Sequence, residues 1–126
     1  MEIFGHSFIE NTKFSFVNSV EDIKKTAPNS IIFINFNKEI IDYCRTQNLL
    51  FGVKVATIKE LILASASNAS YLLIDKKFAK EAQDIANEYM FDAKILLISQ
   101  SENDIEFCAK NGIDGIIFEH SVPRTL

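Results

Sequence analysis

Short apolar runs alternate with segments of helical periodicity along most of the chain. Five strand-length runs recur at a spacing of roughly twenty residues, which is typical of strands separated by helices of ten or so residues. They are Ile31–Phe36, Phe51–Ala56, Tyr71–Ile74, Ile95–Ile98 and Gly115–Phe118, and a weaker run, Phe14–Val17, precedes them. This alternation predicts an α/β fold of repeated βα units, with a mainly parallel sheet of five or six strands. Because no linker or change of composition divides the chain, we expect a single domain over residues 1–126.

The segments between the runs carry apolar stripes and helix-boundary residues. Ser19 is expected to open a short helix that ends near Pro28, and Thr57-Ile58-Lys59-Glu60 has the pattern of a capping box. Ser101 is expected to cap the last helix, and Asn111-Gly112 to close it in a left-handed conformation. The stripes expected to face the sheet are Ile40, Ile41 and Cys44; Ile58, Leu61, Ile62 and Ser65; Phe78, Ala82, Ile85 and Tyr89; and Ile105, Cys108 and Ala109.

The first eighteen residues fit two arrangements. In one, Glu2–Ile9 and Lys13–Val17 form a hairpin around Glu10-Asn11-Thr12. In the other, Phe14–Val17 is the first parallel strand and the residues before it are a lead-in arm. Both arrangements leave the rest of the predicted sheet unchanged.

The run from Phe51 to Ala56 bears on the architecture. Side chains alternate along a strand, so Lys54 shares a face with Gly52, opposite Val53. In an open flavodoxin-like sheet, helices cover both faces, and an unpaired buried ammonium there would cost several kcal/mol. The interior of a (β/α) barrel tolerates a lysine aimed at its mouth, and Asn35 repeats this pattern. The alternative is an edge strand whose lysine reaches solvent. Both architectures therefore stay open, a truncated TIM-barrel-like sheet and an open flavodoxin-like one.

The same residues carry a family resemblance. The run Gly52-Val53-Lys54-Val55-Ala56-Thr57, with Phe14–Val17 upstream, resembles strands of the 2-keto-3-deoxy-6-phosphogluconate aldolase group of TIM barrels. The resemblance implies a barrel-type fold. It also implies a Schiff-base lysine on the sixth strand, yet the matching run Gly115–Glu119 has none. The acid and the arginine that the family carries on its second strand are missing from Ile31–Lys38, and its glycine-rich phosphate site has no counterpart. The resemblance thus suggests a fold and argues against the family's chemistry.

Polar residues follow several of the predicted strands. In both architectures, the carboxyl ends of parallel strands form the functional edge of the sheet. Helices that begin there present free N–H groups, which favour a small anionic ligand. The alternative is that these residues only cap helices and build loops, with Asp75 as an N-cap. The ligand-binding candidates are Asn35, Lys54, Thr57, Asp75, Ser99 and Ser101.

Composition excludes several classes of function. The net charge of −4 and the absence of a basic stretch argue against nucleic-acid binding. The chain lacks an apolar run of about twenty residues and a leader-like N-terminus, which predicts a cytoplasmic protein without membrane contact. Cys44 and Cys108 are expected to be buried free thiols, and His6 and His120 surface residues. No pattern for a metal or for a nucleotide cofactor is present, so neither is expected.

These observations predict a non-catalytic binding or regulatory module for a small anionic metabolite or a protein partner. The alternative is an aldolase-like lyase or isomerase that acts on a small keto acid or sugar phosphate through Lys54, Asn35 and Asp75. Whether the protein is an enzyme stays open. A curled sheet of six strands would leave two exposed edges, so we also expect a homodimer.

Overall fold

A computed structural model of the chain describes residues 1–9 and 13–118. Strands and helices alternate in this part of the chain. The strands are β1 (Glu2–Phe4), β2 (Phe14–Phe16), β3 (Ile31–Asn35), β4 (Phe51–Lys54), β5 (Tyr71–Ile74), β6 (Lys94–Ser99) and β7 (Gly115–Phe118). The helices are α1 (Val20–Lys24), α2 (Lys38–Thr46), α3 (Ile58–Ala66), α4 (Lys76–Glu88) and α5 (Asp104–Asn111). No helix in these ranges is long and apolar enough to cross a membrane.

The strands form one all-parallel sheet in the order β1-β7-β6-β5-β4-β3-β2, curled into a half-barrel. From β2 to β7, each strand lies beside its neighbour in sequence, and a helix returns the chain between them. This confirms the predicted α/β fold of repeated βα units. The described sheet has seven strands where the sequence predicted five or six.

The additional strand is β1, which lies beside β7 at the far end of the sheet from β2. It pairs in parallel through Ile3 and Ile116, and the Glu2 N–H donates to the Asp114 carbonyl at 3.0 Å. The predicted hairpin is therefore wrong, because β1 and β2 occupy opposite edges. Its expected turn, Glu10-Asn11-Thr12, lies outside the described residues. β1 is only three residues long, too short to produce a recognisable apolar run.

All five helices pack on the convex face of the sheet. The larger apolar cluster joins alternate strand residues, such as Val53 and Leu72, to buried helix residues, such as Leu61 and Ala82. The second cluster contains strand residues alone. A doubly wound sheet would have helices in both clusters, so the barrel-like alternative describes the protein. The members of the strand-only cluster are Phe4, Phe14, Phe16, Ile31, Phe33, Tyr71, Leu73, Leu96, Ile98 and Ile117.

Four aromatic rings fill the concave side of the half-barrel. Phe4 contacts Phe14 with ring centroids 5.8 Å apart, and both contact Phe33 edge-on. Tyr71 lies 5.6 Å from Phe4 and 6.1 Å from Phe33. Because Phe4 belongs to β1 and Phe14 to β2, this cluster joins the two edges of the sheet. Gly52 leaves the necessary space, since a Cβ atom there would lie 2.7 Å from the Phe33 ring.

The helices present narrower faces to the sheet than the sequence stripes suggested. In α2 the predicted stripe of Ile40, Ile41 and Cys44 is buried. In α3, however, only Leu61 and Ala64 are buried. The stripe predicted for α3 is wrong at two positions, because Ile58 is 39% and Ile62 is 45% exposed.

The stripes of α4 and α5 show the same difference. The buried positions of α4 are Ala79, Ala82, Gln83 and Ala86, whereas the predicted Tyr89 is 70% exposed. In α5, Cys108 is buried, but the predicted Ala109 is exposed. A single layer of helices on a convex sheet explains this, because only the strip nearest the sheet is covered and its outer flanks stay in water. Small residues in that strip let α4 approach the strands closely.

Helices α2 to α5 are followed by residues in the left-handed conformation. These are Asn48 (φ 56°), Asn68 (φ 69°), Met90 (φ 51°) and Gly112 (φ 67°). Glycine and asparagine are the residues that adopt this conformation most readily, and the predicted Asn111-Gly112 ending is confirmed. Met90 is the exception. Its side chain is 84% exposed, so packing does not compensate for the strain.

Replacing Met90 by glycine should therefore stabilise the fold. We expect the free energy of unfolding of Met90→Gly to rise by about 0.5–1 kcal/mol, because the left-handed penalty disappears and little packing is lost. Urea denaturation measures the change. The control is Tyr89→Gly, since Tyr89 has a φ of −98° and should gain nothing. A Met90→Gly variant no more stable than the wild type would contradict the prediction.

Candidate functional site

Three predicted residues meet at the carboxyl end of the concave face, which we call the mouth of the half-barrel. Asn35 and Lys54 end β3 and β4 and are direct register partners, so their side chains share the concave face. Asp75 follows β5 with extended backbone angles (φ −78°, ψ 156°), which continues the alternation from Tyr71 and Leu73 to the same face. All three are exposed. We call Asn35, Lys54 and Asp75 the mouth triad.

The mouth triad makes no side-chain hydrogen bond or ion pair with any other described residue. Asp75 occupies the N-cap position of α4, as predicted, yet its carboxylate makes no capping hydrogen bond. Lys54 and Asp75 are not in ion-pair contact with each other. The edge-strand alternative for Lys54 is wrong, because β4 lies between β3 and β5. Lys54 still reaches solvent, because none of the helices described in the structure covers the concave face. The triad is therefore free to interact with a ligand.

Thr57 belongs to a helix cap rather than to the mouth triad. It is the N-cap of α3, and its hydroxyl accepts the Glu60 N–H at 3.1 Å. The Glu60 carboxylate in turn accepts the Ala56 N–H at 2.9 Å. This reciprocal pair confirms the predicted capping box. Because its acceptor oxygen already holds a backbone N–H, Thr57 is a weaker ligand candidate than the triad.

Ser99 and Ser101 form a hydrogen-bonded turn on the helix side of the sheet. Ser99 is buried beside α5, donates to the Asp104 carboxylate at 2.6 Å and accepts the Ser101 N–H at 2.9 Å. The predicted N-cap role of Ser101 is wrong, since the N-cap of α5 is Asn103. Ser101 instead accepts the Asn103 N–H at 3.2 Å. The turn wraps around the Ser99 hydroxyl, which delays the start of the helix.

Asp104 links this turn to the neighbouring helix. Its second carboxylate oxygen pairs with the Lys76 ammonium at 2.9 Å, and that ammonium lies 4.9 Å from the centroid of the Phe107 ring. The hydrogen bond from Ser99, and after it that from Lys76, hold the pKa of Asp104 below its ordinary value of 3.8. The cluster fixes the first turns of α4 and α5 to the end of β6. We read it as structural, since each of its charges is neutralised internally.

His6 is less exposed than the sequence predicted. Its side chain is 14% exposed, pairs with Glu102, and contacts the rings of Phe118 (5.6 Å) and Phe8 (5.3 Å). His6 thus lies at the surface but is partly covered, because β1 lies beside β7, which brings His6 to Phe118. His120 lies outside the described residues.

The two cysteines follow the prediction. Cys44 and Cys108 are free and buried, and burial raises the pKa of each thiol to about 11. At neutral pH both are protonated and unreactive. Within residues 1–9 and 13–118, no group of three or more His, Cys, Asp or Glu side chains is arranged to hold a metal ion.

No protein-family model matches the chain, and no curated protein is significantly similar to it. The geometry of the mouth is therefore the basis for inferring what the protein binds. The sequence singled out Asn35 and Lys54 from the alternation of side chains within their predicted strands, and Asp75 from its position at the end of a strand. It had no means of separating them from Thr57, Ser99 and Ser101, which occupy equivalent positions.

Removing the Ser99 hydroxyl should raise the pKa of Asp104. In Ser99→Ala, the strongest contact of the carboxylate is lost, so we expect its pKa to move upward toward the ordinary value. Carbon-detected NMR titration of the Asp104 carboxyl group measures it. Ser101→Ala is the control, because the Ser101 hydroxyl does not contact Asp104 and its loss should leave that pKa unchanged.

The hydrogen bond between Ser99 and Asp104 also determines how the stability of the fold changes with pH. Because the folded-state pKa lies below the unfolded value, the interaction stabilises the protein above pH 3.8 and is lost as the pH falls through the folded-state pKa. Ser99→Ala should therefore reduce stability at neutral pH and make it less sensitive to acid. An unchanged Asp104 titration in Ser99→Ala would contradict the assignment.

Proposed function

We propose that this protein is a non-catalytic binding module that holds a small organic anion at the mouth triad. The observation that carries the proposal is Lys54, an exposed cation on a central strand without an ion-pair partner among the described residues. Asn35 lies directly beside it as its register partner. An ammonium and an amide on one rigid sheet edge are suited to bind a carboxylate or phosphate oxygen.

Two helices add to the positive potential near Lys54. α2 and α3 begin shortly after β3 and β4, with Asn37 and Thr57 as their N-caps. The N-terminal ends of helices carry partial positive charge, which favours anions in the first turn. Glu39 and Glu60 lie in these first turns and offset part of this potential, which leaves Lys54 as its main source.

The packing below the mouth limits the size of the ligand. Phe33 and Leu73, the concave residues beneath the triad, are fully buried, so their side chains occupy the interior at these positions. A ligand must lie on top of this layer. The same exposure supports binding rather than catalysis, because lysines that form Schiff bases are activated by desolvation or by a neighbouring cation. Lys54 is exposed to water and has a carboxylate nearby.

Lys54→Met should weaken anion binding. We expect the dissociation constant for carboxylates or sugar phosphates to rise about fivefold or more, the effect of removing one exposed charge contact. Thermal-shift screening, followed by NMR titration of the compounds that raise the melting temperature, measures it. Lys94→Met is the matched control, because Lys94 is exposed on the same concave face at the amino end of β6. Equal losses in both variants, or no loss in Lys54→Met, would contradict the proposal.

An aldolase-like lyase or isomerase is the second candidate. What favours it is the position of Lys54 and Asp75 on neighbouring strands of a half-barrel, where an amine and a general base would act on a keto acid. Borohydride treatment in the presence of pyruvate separates the two functions. A reduced adduct on Lys54, located by peptide mass, supports the lyase. If Lys54 stays unmodified and the protein still binds anions, the result supports the binding module.

We also propose that the protein forms a homodimer, with α3 in the interface. The sheet edges β1 and β2 are three residues long and converge at Phe4 and Phe14, so they offer a short ladder for pairing. The outer face of α3 instead exposes Ile58, Ile62 and Leu63. Two copies related by a twofold axis would cover these aliphatic groups with each other.

Light scattering tests the dimer. Ile62→Glu should shift the mass from dimer to monomer, because a carboxylate cannot be buried against its symmetry mate without a large cost. Lys77→Glu, a charge change at an exposed position of α4, away from the aliphatic group of α3, should leave the dimer intact. A monomeric wild type would refute the proposal.

The state of the two cysteines is informative about the cellular compartment of the protein. Both thiols are free and lie in the apolar core, where no second cysteine is paired with them. Free thiols of this kind are typical of proteins in a reducing environment. We therefore propose a cytoplasmic location.

A further inference from the structure

We infer that the ligand of the mouth triad is an α-amino acid with an aliphatic side chain, bound as its zwitterion. This inference rests on the proposed function and specifies its ligand. The carboxylate of the amino acid would contact Lys54 and Asn35, and its ammonium group would contact Asp75.

The charges of the mouth triad favour a zwitterionic ligand. The triad contains one cation, one anion and one neutral amide. The cations at the first residues of α2 and α4 are already committed, Lys38 to Asp42 at 2.6 Å and Lys76 to Asp104 at 2.9 Å. A doubly charged phosphate would bring its second charge close to the Asp75 carboxylate. A zwitterion places one charge of each sign against a matching partner.

The spacing of the triad favours a ligand that has two opposite charges close together. Adjacent strands are about 4.8 Å apart, and Asn35 and Lys54 are direct partners across one such interval. On β5 the partner of Lys54 is Leu73, and Asp75 lies two residues beyond it, on the diagonal. Lys54 and Asp75 therefore face each other across a gap that their side chains do not close. A ligand whose two charges are attached to one carbon atom can bridge this gap.

The apolar surroundings of the triad favour an aliphatic side chain on the ligand. Ile98 is half-buried, lies on the concave face, and stands beside Asp75 when the pairing of Ile74 with Leu97 is extended by one residue. Since the buried Leu73 closes the interior beneath Asp75, a ligand side chain would extend over Ile98. A short aliphatic group matches these surroundings.

Three matched compounds test the inference: leucine, 4-methylpentanoate, which lacks the amine, and 3-methylbutylamine, which lacks the carboxylate. Their binding is measured by NMR titration of the isotope-labelled protein. We expect leucine to bind about three- to fivefold more tightly than 4-methylpentanoate, the preference that one exposed ion pair provides. In Asp75→Asn the two affinities should become equal. Asp92→Asn, an exposed carboxylate after α4 at the opposite end of the sheet, should keep the preference.

The outcomes separate this inference from the proposed function. Wild-type protein that binds leucine and 4-methylpentanoate equally, or an Asp75→Asn variant that keeps the preference, overturns the amino-acid assignment. If anion binding then still depends on Lys54, the proposed function stands. If none of the three compounds binds, the amino-acid assignment is wrong, and the Lys54→Met screen decides the proposed function separately. Asp75 makes no capping hydrogen bond, so Asp75→Asn is expected to fold.

Discussion

The aromatic cluster of Phe4, Phe14, Phe33 and Tyr71 is the interaction on which the rest of the structure depends. The helices of residues 13–118 lie on the convex face, so within this range the side chains of the strands themselves exclude water from the concave face. Large rings meet this need because each buries a large apolar area and reaches across several strands. Curling of the sheet brings the rings of β1 and β2 into contact, and the open edges thereby converge.

This packing also determines where polar chemistry can occur. A concave face filled with rings leaves no room for a charged group inside, so polar residues are confined to the ends of the strands. Lys54 occupies a central strand and still remains hydrated, because the helix layer that would bury it lies on the other side of the sheet. The mouth is thus a rigid, solvated edge above an apolar floor, which suits reversible binding of a small ligand.

Polar residues at this edge have two different roles. Thr57 and Ser99 hold the backbone and helix ends together, and Asp104 and Lys76 neutralise each other across two helices. Asn35, Lys54 and Asp75 make no such contacts with the part of the chain that the structure describes. Thr57 and Asp75 both precede a helix, and only the three-dimensional contacts show that Thr57 caps its helix through its side chain whereas Asp75 does not. Position in the sequence cannot reveal whether a hydrogen-bonding group is already occupied.

Local patterns were sufficient to determine the succession of strands and helices from β2 to β7, the capping box at Thr57 and the left-handed ending at Gly112, because each depends on residues close together in the chain. The alternation around Lys54 left a barrel interior and an edge strand as alternatives, and the position of β4 in the sheet decided between them. Only the tertiary structure decided that β1 pairs with β7, that His6 meets Glu102, and that Ile58 and Ile62 lie in water. These features depend on contacts between distant segments and on the curvature of the sheet, neither of which is encoded in a short stretch of residues.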